Sequence, residues 1–337
     1  MEIGGKRPTI ADVAELAGVS TGTVSNVMAH HRSVRPQTRR RVEAAIAQLS
    51  YRPNRIAQSL TRQRTRVVGM VVPDIANPFF SELLHGTEGE LEAAGYAVVF
   101  GNSHDSGARQ LRYLGSFRER QVDGLVVAMA PDTEIADLED GTAGQPFILV
   151  DRTLPGWTGD QVLGDDERGI EMVVDHLVRL GHRRLALVNG ERRLSTARRR
   201  RRGFEAALAA RGLQPTCLSE GSFTIESGFA QAAQLFELPE PPTAICAGND
   251  LLAMAAASAA TERGLRVPQD LSVVGYDDIA YSRLVSPGLT TVCQPARRMG
   301  AAAARLLLER LHEGRAVERT IVVRPELVVR GSTGPPP

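Results

Sequence analysis

The sequence predicts an α head followed by an α/β body: three helices arranged as a helix-turn-helix, a short connector, then two doubly wound parallel-sheet lobes. Three observations predict it. The 337 residues exceed what one core usually holds, at roughly 100 to 200 residues per domain. Charge is split by position, with 12 Lys and Arg against 4 Asp and Glu in residues 1–66 and 28 against 35 in the rest, nets of +8 and −7. Hydrophobic spacing changes at the same place, from helical to short β-branched runs alternating with helical stretches.

A basic head on an acidic body suits one end that meets a polyanion and a remainder repelled by it. Ile10, Val13, Ala14, Ala17, Val19, Val24, Val27 and Met28 recur at helical spacing, so the head folds instead of trailing as a basic tail. Thr9 is an N-cap with Asp12 three positions on, and Gly18 ends the first helix. Val19 enters the turn. Ser20 then caps a second helix, 21–28, whose Thr21, Gly22, Ser25 and Asn26 point outward. Small polar side chains permit the close approach that reading base edges in a major groove requires. A third helix, from about Pro36 or Thr38 to Leu49, holds Val42, Ala45, Ile46 and Leu49 inside and Arg39, Arg40 and Arg41 outside, where guanidiniums suit phosphates.

The stretch 54–60 has an N-cap and apolar Ile56, Ala57 and Leu60, but is too short to be a stable helix alone. It is expected to order conditionally. From Arg66 on, strands are expected at 67–72, 97–100, 124–128, 147–150, 184–188, 244–247 and 271–275, alternating with helices as in doubly wound parallel sheets. Polar turns follow these strands. Ligands bind outside the carboxyl ends of parallel strands, so Asn77, Asp151, Arg152, Asn249, Asp277 and their neighbours should converge.

The run Thr9-Ile-Ala-Asp-Val-Ala-Glu-Leu-Ala-Gly-Val-Ser-Thr-Gly-Thr-Val-Ser25, with Tyr51-Arg-Pro-Asn54 and Ser59-Leu60, resembles the head of the lactose/galactose-repressor (LacI/GalR) family of transcription regulators. The resemblance continues through the body, which is similar to periplasmic sugar-binding proteins of type I. It implies that Thr21, Gly22 and Asn26 read bases, that Thr9, Ser20, Thr23, Ser25, Arg35, Tyr51, Asn54 and Gln58 add DNA contacts, and that Leu60 wedges into a minor-groove step with Ala57 at the hinge-helix contact. The family commonly has Arg at the position of Gln58. It further implies a head over 1–52, a hinge over 53–65, an effector-binding and dimerisation domain over 66–331 and a tail over 332–337. Lobe 1 is expected at about 66–163 and 295–323, lobe 2 at about 165–290 and 324–331. Helices over 77–94 and 107–118 are the expected dimer faces.

For the cleft, Phe79, Phe80 and Phe223 offer flat apolar faces, while Asn77, Asp151, Arg152, Arg200, Asn249, Asp277 and Gln294 offer donors and acceptors. A sugar presents the complementary surface, apolar C–H faces and a rim of hydroxyls. Carboxylates opposite guanidiniums keep the site nearly neutral, which suits an uncharged ligand. Arg200 matches the family's ligand arginine. It sits in an unbroken run of arginines over 198–202, of which a helix can aim only one or two inward. An inward Arg198 would favour an acidic or phosphorylated sugar. Asp250 is the better candidate than Asn249 for capping the helix expected from Leu251, Asp278 reads as a turn residue, and one of Phe79 and Phe80 is expected to be core.

The expected function is a cytoplasmic, homodimeric repressor that leaves its operator on binding a monosaccharide. The alternatives are a corepressor-dependent regulator responding to a purine or phosphorylated sugar, or a non-regulatory sugar-binding receptor; the start MEIGGKRPT, lacking an apolar core, argues against export. No apolar run approaches the ~18 to 20 residues of a membrane span. No cofactor, metal or catalysis is expected: Cys217, Cys246 and Cys293 lack CxxC spacing, and the seven His fall in no HExxH motif, nor is there a GxSxG or Walker A sequence.

Overall fold

A computed structural model describes residues 8–28, 34–51, 64–313 and 317–337, and the chain divides into two units, Met1–Thr65 and Arg66–Pro337. In the first, α1 (Ile10–Ala17), α2 (Thr21–Met28) and α3 (Pro36–Gln48) enclose Val13, Ala14, Ala17, Val24, Val27, Val42, Ala45 and Tyr51. Thr9 and Asp12 form a reciprocal capping box, and Gly18 closes α1 at φ 61°, a left-handed conformation that glycine adopts without strain. The Ser20 Oγ accepts from the Thr23 amide at 3.2 Å, capping α2.

Two of the three arginines expected to face phosphate do something else. Arg41 donates to the Ala17 carbonyl at 2.6 Å and to that of Gly18 at 2.9 Å, and Arg39 reaches the Val27 carbonyl at 3.5 Å. Both place a cation on the carbonyl end of a helix, where orphaned acceptors and the helix dipole favour it. Arg40 stays exposed.

In the second unit, lobe 1 begins with β1 (Val67–Val72), α4 (Pro78–Ala93), β2 (Ala97–Asn102), α5 (Gly107–Glu119), β3 (Gly124–Val127), α6 (Ile135–Thr142), β4 (Phe147–Val150) and β5 (Gln161–Gly164). Lobe 2 follows with α7 (Asp166–Arg179), β6 (Leu185–Asn189), α8 (Ser195–Ala209), β7 (Cys217–Glu220), α9 (Ile225–Phe236), β8 (Ala244–Ala247), α10 (Asp250–Glu262), β9 (Ser272–Asp277) and β10 (Thr290–Cys293). The chain then returns to lobe 1 as α11 (Ala296–Glu313) and β11 (Thr320–Val323), and ends in lobe 2 with β12 (Glu326–Val328). It therefore crosses between lobes three times, at 164–166, 293–296 and 323–326.

The sheets share one topology, β2-β1-β3-β4-β5-β11 and β7-β6-β8-β9-β10-β12. In each, the order reverses beside the first strand, the switch point where a doubly wound sheet opens a crevice. One pairing departs from the parallel expectation: β12 runs antiparallel to β10. Strands β5, β7, β10, β11 and β12 were not anticipated. Four residues or fewer, and half-exposed in β7, β11 and β12, they lack the long apolar run that marks a strand buried on both faces. Residues 332–337, expected as a tail, lie against lobe 2. The Ser332 hydroxyl donates to the Val273 carbonyl at 2.6 Å and accepts from the Thr290 amide at 2.8 Å, and buried His182 lies 2.9 Å from the Gly334 carbonyl.

Helices α4 and α11 pack together over the lobe 1 sheet, close enough that a Cβ on Gly86 would overlap the Arg297 carbonyl and one on Gly300 the Leu83 carbonyl. Backbone cannot yield as a side-chain tip can. Gly86→Ala is expected to destabilise the body by about 1–3 kcal/mol through overpacking, read as a lower urea midpoint of the full chain; an unchanged midpoint would show that the helices part without cost.

Candidate functional site

The carboxyl ends of the strands in both lobes meet at one site, lined by Asn77, Phe79, Phe80, Asp151, Arg152, Thr196, Arg200, Phe223, Asn249 and Asp277. Nine of these ten were named from sequence. Each lies at or beyond the end of a strand: β1 leads to Asn77 and to Phe79 and Phe80 at the start of α4, β4 to Asp151 and Arg152, β6 to Thr196 and Arg200 in the first turns of α8, β7 to Phe223, β8 to Asn249, and β9 ends on Asp277. Thr196 was missed, although its position at the start of the helix after β6 supplied the signal. Gln294 stands outside this lining and borders an adjoining cavity of about 490 Å³ at the 293–296 crossover, which shares Phe79 and Asp277 with the site; it reaches the site by donating its Nε2 to Asp151 Oδ1 at 3.4 Å.

Phe79 and Phe80 pack edge to face at 5.1 Å. Both belong to the lobe 1 core and both line the site, so the division of labour expected between them does not occur. Asn77 caps α4, accepting the Phe79 amide at 3.1 Å. The expectation for Asn249 and Asp250 is reversed: Asn249 caps α10 by accepting from the Leu252 amide at 2.8 Å. Asp250 instead accepts from the Ile279 amide at 2.8 Å and the Ser282 hydroxyl at 2.6 Å, tying α10 to the strand-end loop. Burial raises the Asp250 carboxyl to about 6 against those hydrogen bonds. Asp278 pairs with Arg330 at 2.6 Å.

The arginine run is sorted by partners distant in sequence. Arg200 is buried and donates its Nε to Asp166 Oδ1 at 2.8 Å and an Nη to the Gly248 carbonyl. Its guanidinium stacks 3.9 Å from the Tyr276 ring centroid. Arg199 grips the other oxygen of Asp166 at 2.7 Å, Arg201 pairs with Glu205 and Glu220, and Arg202 with Glu167. Arg198 turns outward and donates to the carbonyls of Arg192 and Arg193, so the condition for an acidic ligand is not met. Asp166 and Arg199 were not among the expected site residues.

Electrostatics follow from this burial. Arg152 pairs with Asp105 and lies 3.8 Å from Asp151, and Arg200 lies 3.9 Å from Asp277. These last two separations exceed hydrogen-bonding distance, leaving each carboxylate in reach of a guanidinium but not bonded to it. Burial pushes both Asp151 and Asp277 above the usual carboxylate range, against the pull of Arg152 and Arg200 respectively. Burial also pulls Arg200 down, but Asp166 and Asp277 more than compensate and hold it charged. The enclosed space is about 20 Å³, near what one water requires.

In the head, Thr21, Gly22, Ser25 and Asn26 share the exposed face of α2 while Val24 and Val27 are buried. Thr23 is half-buried, its hydroxyl 3.0 Å from that of Ser20. Thr9 and Arg35 are exposed at the starts of α1 and α3. Tyr51, expected at DNA, is largely buried in the head core. Asn54, Ala57, Gln58 and Leu60 lie outside the described residues.

Residues 9–54 match the model of the bacterial regulatory proteins, lacI family, and residues 174–333 that of the periplasmic binding protein-like domain. The HTH-type transcriptional repressor PurR of Photobacterium profundum is 37% identical over 327 residues, covering 96% of this chain and 98% of that one. The chain belongs to the lacI family of bacterial regulatory proteins. Among solved structures, the lac repressor dimer bound to operator and the anti-inducer ONPF superposes with a TM-score of 0.90 at 33% identity, over 98% of this chain and 100% of that one. A lacI-family regulator from Enterococcus faecium with bound ribose superposes with a TM-score of 0.73 at 30% identity, over 80% and 99%. This family member is thus a DNA-binding transcriptional repressor and not an enzyme. Among the described residues no helix is long and apolar enough to cross a membrane.

Removing a buried ion-pair member strands its partner, at a cost of about 3–5 kcal/mol. Arg200→Ala, which leaves Asp166 to Arg199 alone and takes from buried Asp277 its neighbouring guanidinium, is expected to destabilise by up to that amount, and Arg198→Ala by less than about 0.5 kcal/mol. Chemical denaturation of both variants checks the contrast; equal effects would refute the assignment of one inward arginine.

Proposed function

We propose that this repressor acts in the cytoplasm as a homodimer on a pseudo-palindromic operator and leaves it on binding a small neutral polyol, a monosaccharide, between its lobes. The observation that carries this reading is the convergence of three phenylalanine rings with two carboxylates and two guanidiniums that face each other unbonded. A hydroxyl can donate to Asp151 or Asp277 while accepting from Arg152 or Arg200, bridging separations of 3.8 and 3.9 Å. The rings suit C–H faces. A neutral ligand leaves the balance of buried charge intact. That a relative of known structure holds ribose supports the class.

A monosaccharide needs more room than 20 Å³, since small-molecule sites enclose roughly 300–1,000 Å³, so the lobes part to admit it by flexing at the three crossovers. We assign DNA reading to the head over 1–52 and effector binding and dimerisation to 66–331. The connector over 53–65, with Leu60 at its minor-groove end, is the element whose folding on DNA the lobes control. Two-fold symmetry of the dimer presents two recognition helices to two half-sites. Effector and operator then change each other's affinity by the same factor.

A thermal-shift screen over neutral sugars, sugar phosphates and purines tests the ligand, because a compound at 100 times its Kd stabilises by about 2.7 kcal/mol. A neutral sugar is expected to raise the melting temperature and to release operator DNA in a fluorescence anisotropy assay. Stabilisation by a purine or a sugar phosphate alone would overturn the ligand class, and tighter operator binding would overturn induction. In the same assay Asn26→Ala is expected to cost about 1–3 kcal/mol of discrimination at one operator base pair and to leave sugar affinity unchanged; an unaltered operator preference would remove Asn26 from base reading.

A further inference from the structure

The loop into α8 and the first turns of that helix belong to lobe 2 but reach the lobe 1 loops that follow β3 and β4. Arg193 forms an ion pair with Asp132. The Ser195 hydroxyl accepts from the Thr153 amide at 3.0 Å, and Arg199 Nη2 donates to the Asp151 carbonyl at 3.2 Å. The last contact differs from the others in what stands behind it. Arg199 is anchored within lobe 2 by Asp166 Oδ2, at 2.8 Å from Nε and 2.7 Å from Nη2. The other oxygen of this fully buried carboxylate holds Arg200. One carboxylate thus orients two adjacent arginines, one lining the effector site and the other crossing to the opposite lobe.

Arg199 does not line the site. What it holds is the backbone of a residue that does: Asp151 sits at φ 65°, in a left-handed conformation that non-glycine residues keep only when their surroundings impose it. The hydrogen bond from Arg199 can form only when the lobes are together, and it fixes the backbone from which the Asp151 carboxylate enters the cleft. Resting on the effector site proposed above, we infer that Arg199 is a positioning residue, an interlobe strap that makes closure of the lobes and the placing of Asp151 a single event. A guanidinium is required, because its planar fork can serve Asp166 and the Asp151 carbonyl at once, whereas the ammonium of lysine is a single point of contact at the end of a flexible stem.

The informative variant is therefore Arg199→Lys, which keeps the charge beside Asp166 and removes the fork. Two measurements on the full chain read it. The first needs no effector: hydrogen exchange at the Thr153 amide, whose bond to Ser195 spans the lobes, is expected to accelerate about tenfold, the equivalent of one hydrogen bond to a charged group. The second uses whichever neutral sugar stabilises the wild-type protein: its dissociation rate is expected to rise by a similar factor with little change in association rate. Arg202→Lys, exposed and paired with Glu167, is expected to match the wild type in both. Wild-type exchange at Thr153 in Arg199→Lys overturns the strap whatever the ligand, and an unaltered dissociation rate overturns its effect on the site. If no sugar binds the wild-type protein, the proposed ligand class fails while the exchange measurement still decides the strap. Should Arg199→Lys not fold, Arg199→Gln, which loses the fork while Arg200 still answers Asp166, is read by the same two rates, with the same outcomes for and against.

Discussion

A buried charge has to be answered by another, and the effector lobes are organised around one such answer, the pairing of Asp166 with Arg199 and Arg200. The Asp166 side chain is fully buried, where an unpaired carboxylate would be costly. Two adjacent arginines at the start of α8 surround it, and each then has donors to spare. Arg200 spends them on the Gly248 carbonyl and on the face of Tyr276, which fixes its position in the cleft. Arg199 spends them across the lobes. The polar floor of the site, the orientation of α8 and the contact between lobes thus share one carboxylate.

The location of the site follows from topology. Two sheets with the same strand order place their switch points face to face, so that the turns after β1 and β4 in one lobe meet those after β6, β7, β8 and β9 in the other. Three crossovers join the lobes, and contacts such as Arg199 to Asp151 run between them. The polyhydroxylated ligand proposed for this cleft would bridge carboxylates and guanidiniums that approach without bonding.

The head solves a smaller problem with similar means. Arg41 and Arg39 cap the carbonyl ends of α1 and α2, so part of the positive charge of this segment is structural and fewer guanidiniums are left for a polyanion than the composition suggests. The exposed face of α2 carries small polar groups and one amide, Asn26, over a floor of Val24 and Val27. Affinity from charge and discrimination from side-chain shape are therefore carried by different residues.

Much of this was legible in sequence because it depends on local patterns. Helical spacing and capping residues set the three head helices, the segregation of charge marked the nucleic-acid end, and β-branched runs followed by polar turns located seven of the ten residues lining the cleft, to which the family resemblance added Arg200. Short, half-exposed strands such as β7 and β11 were not legible, since pairing with a neighbour, more than side-chain pattern, makes them strands. Nor could sequence decide between Asn249 and Asp250, because both can cap a helix and only the approach of Ile279 and Ser282 draws Asp250 away. The same holds for the five arginines. Their spacing limits how many face inward, but Asp166, Glu167 and Glu220 choose among them, and those acids are brought within reach only when α7 and β7 are in place. Sequence by itself determined which residues stand at the strand ends and at the reading face; tertiary structure alone decided which charges pair, because pairing depends on distances between segments that the chain order does not contain.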